Sequence, residues 1–455
     1  MKVQNSKLKT QSLRRKYPRF VYEKYSYRIS GHKLEIFFNF VIEPDISFKP
    51  KITIKNVNKK ILDRVGERVL KNLIFHLGLI EIPSYWKATC SPEIEIQAGP
   101  LSMKASPLFS SSTNFRLVSI NKEQTKWWKD LIMKGMGQFF YENKINFKKP
   151  NFLRISSPNP RGKNLTIVRF SPRPKKRFLV PTHEGKDSIV TLEKLKAQKK
   201  EINAFVVNPT KAAMNVLKVG GIKKPIIVER KIDPVLLKLN RKGFLNGHTP
   251  FTAVLSFLSV ICAVLFNYRE IAFSNEKSAD EGNLKYLGKM INHQWSKSSD
   301  FERKFRFYSK KYLAKNIHYF SFLRNYTELE IAEMFSKYPK YFPVFLSCNE
   351  AYKTASGTKK PTRKWCCQCP KCLFVFAILY PFLEEKKLVK IFGKNLFKDK
   401  KLLPLMKSLM GQGGPKPFEC VGTKKESRLA FKLSLEKAKK SGRIPYLLLK
   451  YQKII

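Results

Sequence analysis

The sequence predicts an α/β protein in three parts: an N-terminal α+β domain over residues 1–150, a connection over 151–175, and an α/β domain over 176–455 with a parallel sheet and a helical C-terminal region. Three observations predict it. Residues 34–57 are Phe/Ile-rich, partly alternating and broken by Pro, as antiparallel strands are. The composition shifts to Pro, Ser, Arg and Lys between Lys148 and Lys176, as in a connection. Beyond it the apolar runs RFLV, NAFVV, PIIVER and EIAFS are separated by helix-length segments, the pattern of a parallel sheet buried on both faces.

The elements follow in order. Leu62, Val65, Val69, Leu70, Leu73 and Leu77 recur at helical spacing between Ile61 and Leu79, and Trp128, Leu131, Ile132, Phe139 and Phe140 do so between Lys122 and Asn143. From Phe244 to Tyr268 only His248 could carry a charge, which invites a membrane test. Thr252, Ser256 and Ser259 interrupt the run and it continues into the strand-like EIAFS, so a buried helix is expected. Beyond Lys285 the chain becomes Lys/Phe/Tyr-rich and helical, with amphipathic segments from Phe376 to Leu409 and Lys424 to Ser441.

Composition excludes several classes. Hydrophobic residues make up 43% of the chain and aromatics 13%, with 35 Phe, enough apolar surface to offset the entropy of ordering. The 21 Gly and 26 Pro carry no period, which removes collagen-like and repeat architectures. Against 34 acidic residues stand 89 Lys and Arg, a net charge of +55 that suits polyanionic ligands. These cations are spread along the chain and form no single stripe, so a nucleic-acid partner is weighed but not favoured. The basic N-terminus is followed by no apolar core of a signal peptide, and four of the eight cysteines fall between Cys366 and Cys372, both fitting a reducing cytoplasm.

The first motif follows the run RFLV, where Pro181-Thr182-His183-Glu184-Gly185-Lys186-Asp187-Ser188 leads into the helical SIVTLEKLKAQ. A strand, a turn and a helix start present backbone N–H groups and a positive dipole end to an anion, and Lys186 adds a charge. The residues resemble the pyrophosphate-loop ATPases, whose pattern is Ser-Gly-Gly-x-Asp-Ser and which cleave ATP between its α and β phosphates. Gly185, Asp187 and Ser188 match, whereas His183 and Glu184 stand where that pattern has a small residue and a glycine. Glu184 then either points outward, helps hold Mg²⁺, or marks a weakened site.

The second motif is Cys366, Cys369 and Cys372 at C-x2-C-x2-C spacing, with Cys348 upstream. Four thiolates can close a tetrahedron around a structural Zn²⁺; an iron–sulfur cluster, or a redox pair using Cys367, remains an alternative. The third group is polar sequence at the ends of buried elements: Asn246-Gly247-His248-Thr249-Pro250, and Ser274 to Asn283 after the run EIAF.

Together the blocks YWKATCSPEIEI (85–96), GMGQFFYEN (135–143), GKDS (185–188), NGHTP (246–250), SNEKSADEGN (274–283), the cysteine segment through Phe376 and KPFECVGT (416–423) resemble the ATP-dependent epimerases of UDP-N-acetylmuramoyl-L-alanyl-L-glutamate, enzymes of cell-wall precursor synthesis. The resemblance implies a pyrophosphate-loop ATPase-like parallel sheet and transfer of AMP from ATP with Mg²⁺ to the terminal carboxylate. Epimerisation then goes through an acyl-adenylate, with the UDP-sugar dipeptide as substrate. Gly185, Lys186, Asp187 and Ser188 would hold the pyrophosphate part of ATP, and His248, Glu276 and Cys420 are the acid/base candidates. Trp86 and Lys87 would suit a uracil face or a phosphate. Two rival functions are a pyrophosphate-loop enzyme adenylating a tRNA base or nucleobase precursor, and a degenerate nucleotide-binding scaffold.

Overall fold

A computed structural model describes residues 2–100, 119–157, 175–351 and 364–454, and shows a mixed α/β protein. Most of the expected connection, 158–174 with its IVRF run, lies outside the described residues. The chain divides into two compact units, each drawn from three stretches: residues 1–177, 226–271 and 304–318 in the first, and 178–225, 272–303 and 319–455 in the second.

The first unit is built on strands. Arg19–Ser30 and Lys33–Ile42 form an antiparallel hairpin whose turn uses Gly31 at φ 57°, a left-handed value that costs glycine nothing. Lys51–Lys55 continues the sheet antiparallel to Lys33–Ile42, and Ile226–Lys231 runs antiparallel to Lys51–Lys55. On the other side Glu93–Pro100 lies parallel to the first strand and Arg154–Ser156 parallel to that. The run PIIVER, expected in a parallel sheet buried on both faces, pairs antiparallel on its Lys51–Lys55 side and is only half buried, because Glu229, Arg230 and Lys231 break the apolar run.

Helix Glu67–Trp86 covers this sheet, and Leu70, Leu73, Ile74, Leu77 and Ile80 are fully buried along it. Each such side chain contributes about 1.5–3 kcal/mol by leaving water. At Gly78 a Cβ would lie 2.0 Å from the Tyr22 hydroxyl, so only glycine lets helix and strand approach. The helix expected over 61–79 is interrupted at Gly66 (φ 82°), which separates Lys59–Val65 from it. The one expected over 122–143 is Lys122–Gly135 and Gly137–Glu142, begun by a capping box of Asn121 and Gln124.

The apolar run forms helix Phe251–Phe266, buried from Ser256 through Leu265, and among the described residues no helix is long and apolar enough to cross a membrane. Trp127, Trp128 and Phe257 pack with Tyr308, whose hydroxyl accepts from Trp128 Nε1 at 2.9 Å. Trp86 belongs to this unit's core. It is fully buried with its indole N–H donating to the Ser91 carbonyl at 2.8 Å, so it presents no face to a uracil.

The second unit begins at Phe178 within strand Lys175–Pro181, which runs parallel to Ile202–Val207, in register from Phe178 with Ile202 to Pro181 with Phe205, joined through helix Lys186–Ala197. Phe178, Val180, Leu192, Leu195, Ala204 and Val206 form the core of that crossover. The C-terminal part is helical, as its composition predicts, with Glu328–Ser336, Pro370–Leu379, Glu385–Phe392, Leu403–Leu409 and Lys424–Lys440 around a core of Phe374, Phe376, Phe397 and Phe431.

Candidate active site

The second unit contains a largely buried ionic cluster. It starts where strand Lys175–Pro181 ends. Thr182 N–H donates to the Phe205 carbonyl at 2.9 Å, the last rung of the parallel ladder, and the chain turns through His183 and Glu184 into the helix at Lys186. Gly185 is the N-cap and supplies no side-chain cap to the first N–H groups. Ser188 braces the turn, its hydroxyl donating to the His183 carbonyl at 2.7 Å and the Gly185 carbonyl at 3.0 Å.

Glu184 does not point outward. It is 0% exposed, its Oε2 lies 2.5 Å from His183 Nδ1, and its Oε1 has no hydrogen-bond partner. Lys186 is 1% exposed and bridges Asp187 and Glu328. Burial alone would lower its pKa, but the two carboxylates outweigh burial and hold it above its ordinary value. Asp187 mirrors this. Burial would raise it, yet Lys186 and Lys371 hold it below the usual carboxylate value.

Glu276 follows strand Tyr268–Phe273 and is 3% exposed. Arg324 fixes its backbone by donating to the Glu276 carbonyl at 2.8 Å, and Arg324 is itself held by Glu302 at 3.0 Å. Burial pushes the Glu276 carboxyl up to about 7; Glu328 and Asp187 add to the effect, while Lys297 and Lys371 oppose it. That mutual influence places loop, Glu276 and both lysines in one electrostatic environment.

Lys297 Nζ lies 3.3 Å from Cys420 Sγ. Burial works against its charge, but Cys420, Glu276 and Asp187 keep its pKa above the ordinary value. Lys371 donates through its ammonium to the Cys420 carbonyl, and through its backbone N–H to Glu419 Oε2 at 2.8 Å. Burial raises the Glu419 carboxyl to about 7 against the pull of Lys371. His293 is pushed down to about 3 by burial and by Lys297 and Lys416, so it is neutral at physiological pH.

The structure therefore draws together Lys186, Asp187, Glu276 and Cys420 from three separate sequence blocks. The blocks are also stitched to each other: Asn283 Nδ2 donates to the Pro417 carbonyl at 2.8 Å and Gln294 Nε2 to the Val421 carbonyl at 3.3 Å. His248 is not among these groups. It belongs to the first unit, in the segment before helix Phe251–Phe266, where Lys87 donates to Asn246 Oδ1 at 2.7 Å and the Gly247 carbonyl at 3.1 Å. Sequence reasoning missed Lys297, Glu328, Lys371 and Glu419. Lys371 and Glu419 sit inside recognised blocks and could have been found there; Lys297 and Glu328 carry no local signal.

Beside the cluster stand the thiols. Cys348, Cys366, Cys369 and Cys372 place their sulfurs within 4.8 Å of one another. Cys366 and Cys372 Sγ are 3.7 Å apart, Cys366 N–H donates to Cys348 Sγ at 3.4 Å, and Cys369 caps helix Pro370–Leu379 by accepting from Cys372 N–H at 3.4 Å. Hydrogen bonds from Cys369 and Cys372 hold the Cys348 thiol far below its ordinary pKa. A single Zn²⁺ with Zn–S about 2.3 Å spaces tetrahedral sulfurs about 3.8 Å apart, so four thiolates this close fit one such ion and could hold it as a closed structural site. Cys367 is turned away. Its φ of 56° reverses the chain so that its neighbours converge, while its own thiol donates to the Phe392 carbonyl at 3.1 Å.

Fold and cluster define a mixed α/β protein with a charged, largely buried centre next to a set of four cysteines that could hold a metal ion. Comparison with known proteins is more specific. Residues 110–322 match the family described as MurL N-terminal domain, and residues 344–447 that described as MurL C-terminal domain. Three relatives carry the name UDP-N-acetyl-alpha-D-muramoyl-L-alanyl-L-glutamate epimerase. That of Micromonospora sp. is 38% identical over 303 residues, 67% of this chain and 66% of the relative. That of Salinispora tropica is 38% identical over 300 residues, 66% of this chain and 64% of the relative. That of Xanthomonas oryzae pv. oryzae is 31% identical over 363 residues, 80% and 74% of the two chains. The match thus spans just under two thirds of the first two relatives' length and about three quarters of the third's. The chain belongs to this epimerase family.

Proposed function

We propose that the chain is an ATP-dependent epimerase that inverts the terminal L-glutamate of UDP-N-acetylmuramoyl-L-alanyl-L-glutamate to D-glutamate, in cytoplasmic peptidoglycan precursor synthesis. The names of the relatives support substrate and reaction. The observation that carries the chemistry is Glu276, a buried carboxylic acid poised at about 7 in the same electrostatic environment as the loop aspartate.

Removing the α-proton of glutamate beside a free carboxylate leaves a poorly stabilised carbanion. Transfer of AMP from ATP to that carboxylate gives an acyl-adenylate and pyrophosphate, masks the anionic oxygen and makes the α-proton more acidic; once the proton has been returned on the other face, water hydrolyses the acyl-adenylate to the D-glutamyl product and AMP. The chain's own groups do the rest. Backbone N–H groups of Gly185 to Ser188 at the helix start hold the pyrophosphate part, and Asp187, a quarter exposed, is the carboxylate available to Mg²⁺. A group with a pKa near working pH both accepts and returns a proton, which Glu276 satisfies. Cys420, half-buried and beside Lys297, is the second proton-transfer group. The third candidate, His248, lies in the first unit.

Incubation with ATP, Mg²⁺ and the L,L-substrate in deuterated water should yield AMP and deuterium at the glutamate α-carbon; formation of neither would sink the reading. A second reading, a nucleotide-binding scaffold without turnover, rests on the buried Glu184 carboxylate inside the loop. AMP formation by Glu184→Gly but not by the wild-type chain would favour it.

A further inference from the structure

The first turn of helix Pro370–Leu379 does two things at once. Two of the four clustered cysteines, Cys369 and Cys372, flank Lys371 within that turn. Lys371, 6% exposed, reaches the opposite way, its backbone N–H to Glu419 Oε2 at 2.8 Å and its ammonium to the Cys420 carbonyl. Glu419 and Cys420 form a tight corner, closed by the Val421 N–H donating to the Glu419 carbonyl at 2.8 Å, and Cys420 Sγ faces Lys297 at 3.3 Å. A metal ion on the thiolates would fix the backbone of the turn, and so the direction of both Lys371 donors.

We propose that the four-cysteine centre acts as the anchor of the Glu419–Cys420 corner, with Lys371 as the positioning residue that transmits it. The metal then has a role beyond holding the helical core together: it sets where the Cys420 thiol lies. Without that anchor the corner loses its two bonds from Lys371, and Cys420 becomes free to swing from Lys297. Its bearing on epimerisation rests on the function proposed above, but the anchor itself does not, because its test needs no substrate.

The test is the alkylation rate of Cys420 by iodoacetamide in the full-length zinc-loaded chain, read by peptide mass mapping, with the fully buried Cys262 as internal control. Lys371→Met should keep one Zn²⁺ per chain and an unchanged circular dichroism spectrum, raise Cys420 alkylation about tenfold and leave Cys262 unreactive; Lys371→Arg should restore most of the protection. Stripping zinc from the wild-type chain should raise the Cys420 rate to about the Lys371→Met value. An unchanged Cys420 rate in Lys371→Met, or loss of zinc from it, overturns the proposal. So does a stripped-chain rate far above that of Lys371→Met, which would mean that the metal holds the whole unit and not this corner. A chain that fails here yet releases AMP leaves the proposed function intact.

Discussion

Both units bury charge, and they do so differently. In the first, Arg230 donates to both carboxylate oxygens of Glu81 at 2.6 Å and to the Ser84 hydroxyl at 2.9 Å. Burial would lower the Arg230 pKa, but Glu81 outweighs it and keeps the guanidinium charged. This buried guanidinium and carboxylate are matched in fork geometry, the arrangement of a structural pair. In the second unit the carboxylates outnumber their firm partners. Asp187 and Glu328 share Lys186, Glu276 is left with a pKa of about 7, and Glu419 likewise. A cluster that keeps acids near neutrality is the pattern that would suit proton exchange, as the proposed function requires of it.

The largest effect that would sharpen this contrast is on stability. Glu81→Gln leaves Arg230 buried and uncompensated and should destabilise the first unit by about 3–5 kcal/mol, measured by urea unfolding. Glu276→Gln should cost far less, since an amide replaces a carboxyl that is half protonated at neutral pH. Equal losses would erase the distinction between the two regions.

Next in size, Asp187→Asn should cut AMP formation about a hundredfold while leaving the melting temperature within a few degrees, because it removes the carboxylate available to the Mg²⁺ that accompanies the phosphates. Loss of stability without loss of AMP formation would reassign Asp187 to the structural class, as a mere partner of Lys186.

A smaller effect is on pH dependence. The Glu276 pKa is raised in the folded chain from the ordinary 4.5 to about 7. Between those values the folded state holds the proton and the unfolded state does not, so this group's contribution to stability is full below pH 4.5 and is lost as pH rises through 7. Glu276→Gln removes that loss. Its melting temperature relative to wild type should therefore rise from pH 5 to pH 8; a constant difference would show that Glu276 is not perturbed.

Much of this was legible in the sequence because it is local. The strand–turn–helix around Gly185, the three cysteines of C-x2-C-x2-C, and the polar blocks after EIAF and around Cys420 each announce themselves within about ten residues. The helix over 67–86 is visible by its period, though that period runs on N-terminally through Gly66, where the backbone breaks. Lys297 and Glu328 were not legible. One ends a short 3-10 turn, Trp295–Lys297, and the other begins a helix behind the capping box of Thr327 and Glu330, where an acid reads as ordinary first-turn chemistry. Only the folded chain brings them to Cys420 and Lys186, and no period or spacing encodes such distant pairing. Trp86 misled for the opposite reason. An aromatic inside a motif looked like a ligand face, but the helix it ends is buried on nearly every side.

The central claim is that Glu276 moves the α-proton while the loop at Lys186 handles ATP. The most direct measurement compares AMP release with deuterium incorporation at the glutamate α-carbon in Glu276→Gln. The account predicts AMP release within a few-fold of wild type and deuterium incorporation lowered by about 10²–10⁴. Deuterium incorporation at the wild-type rate would contradict it.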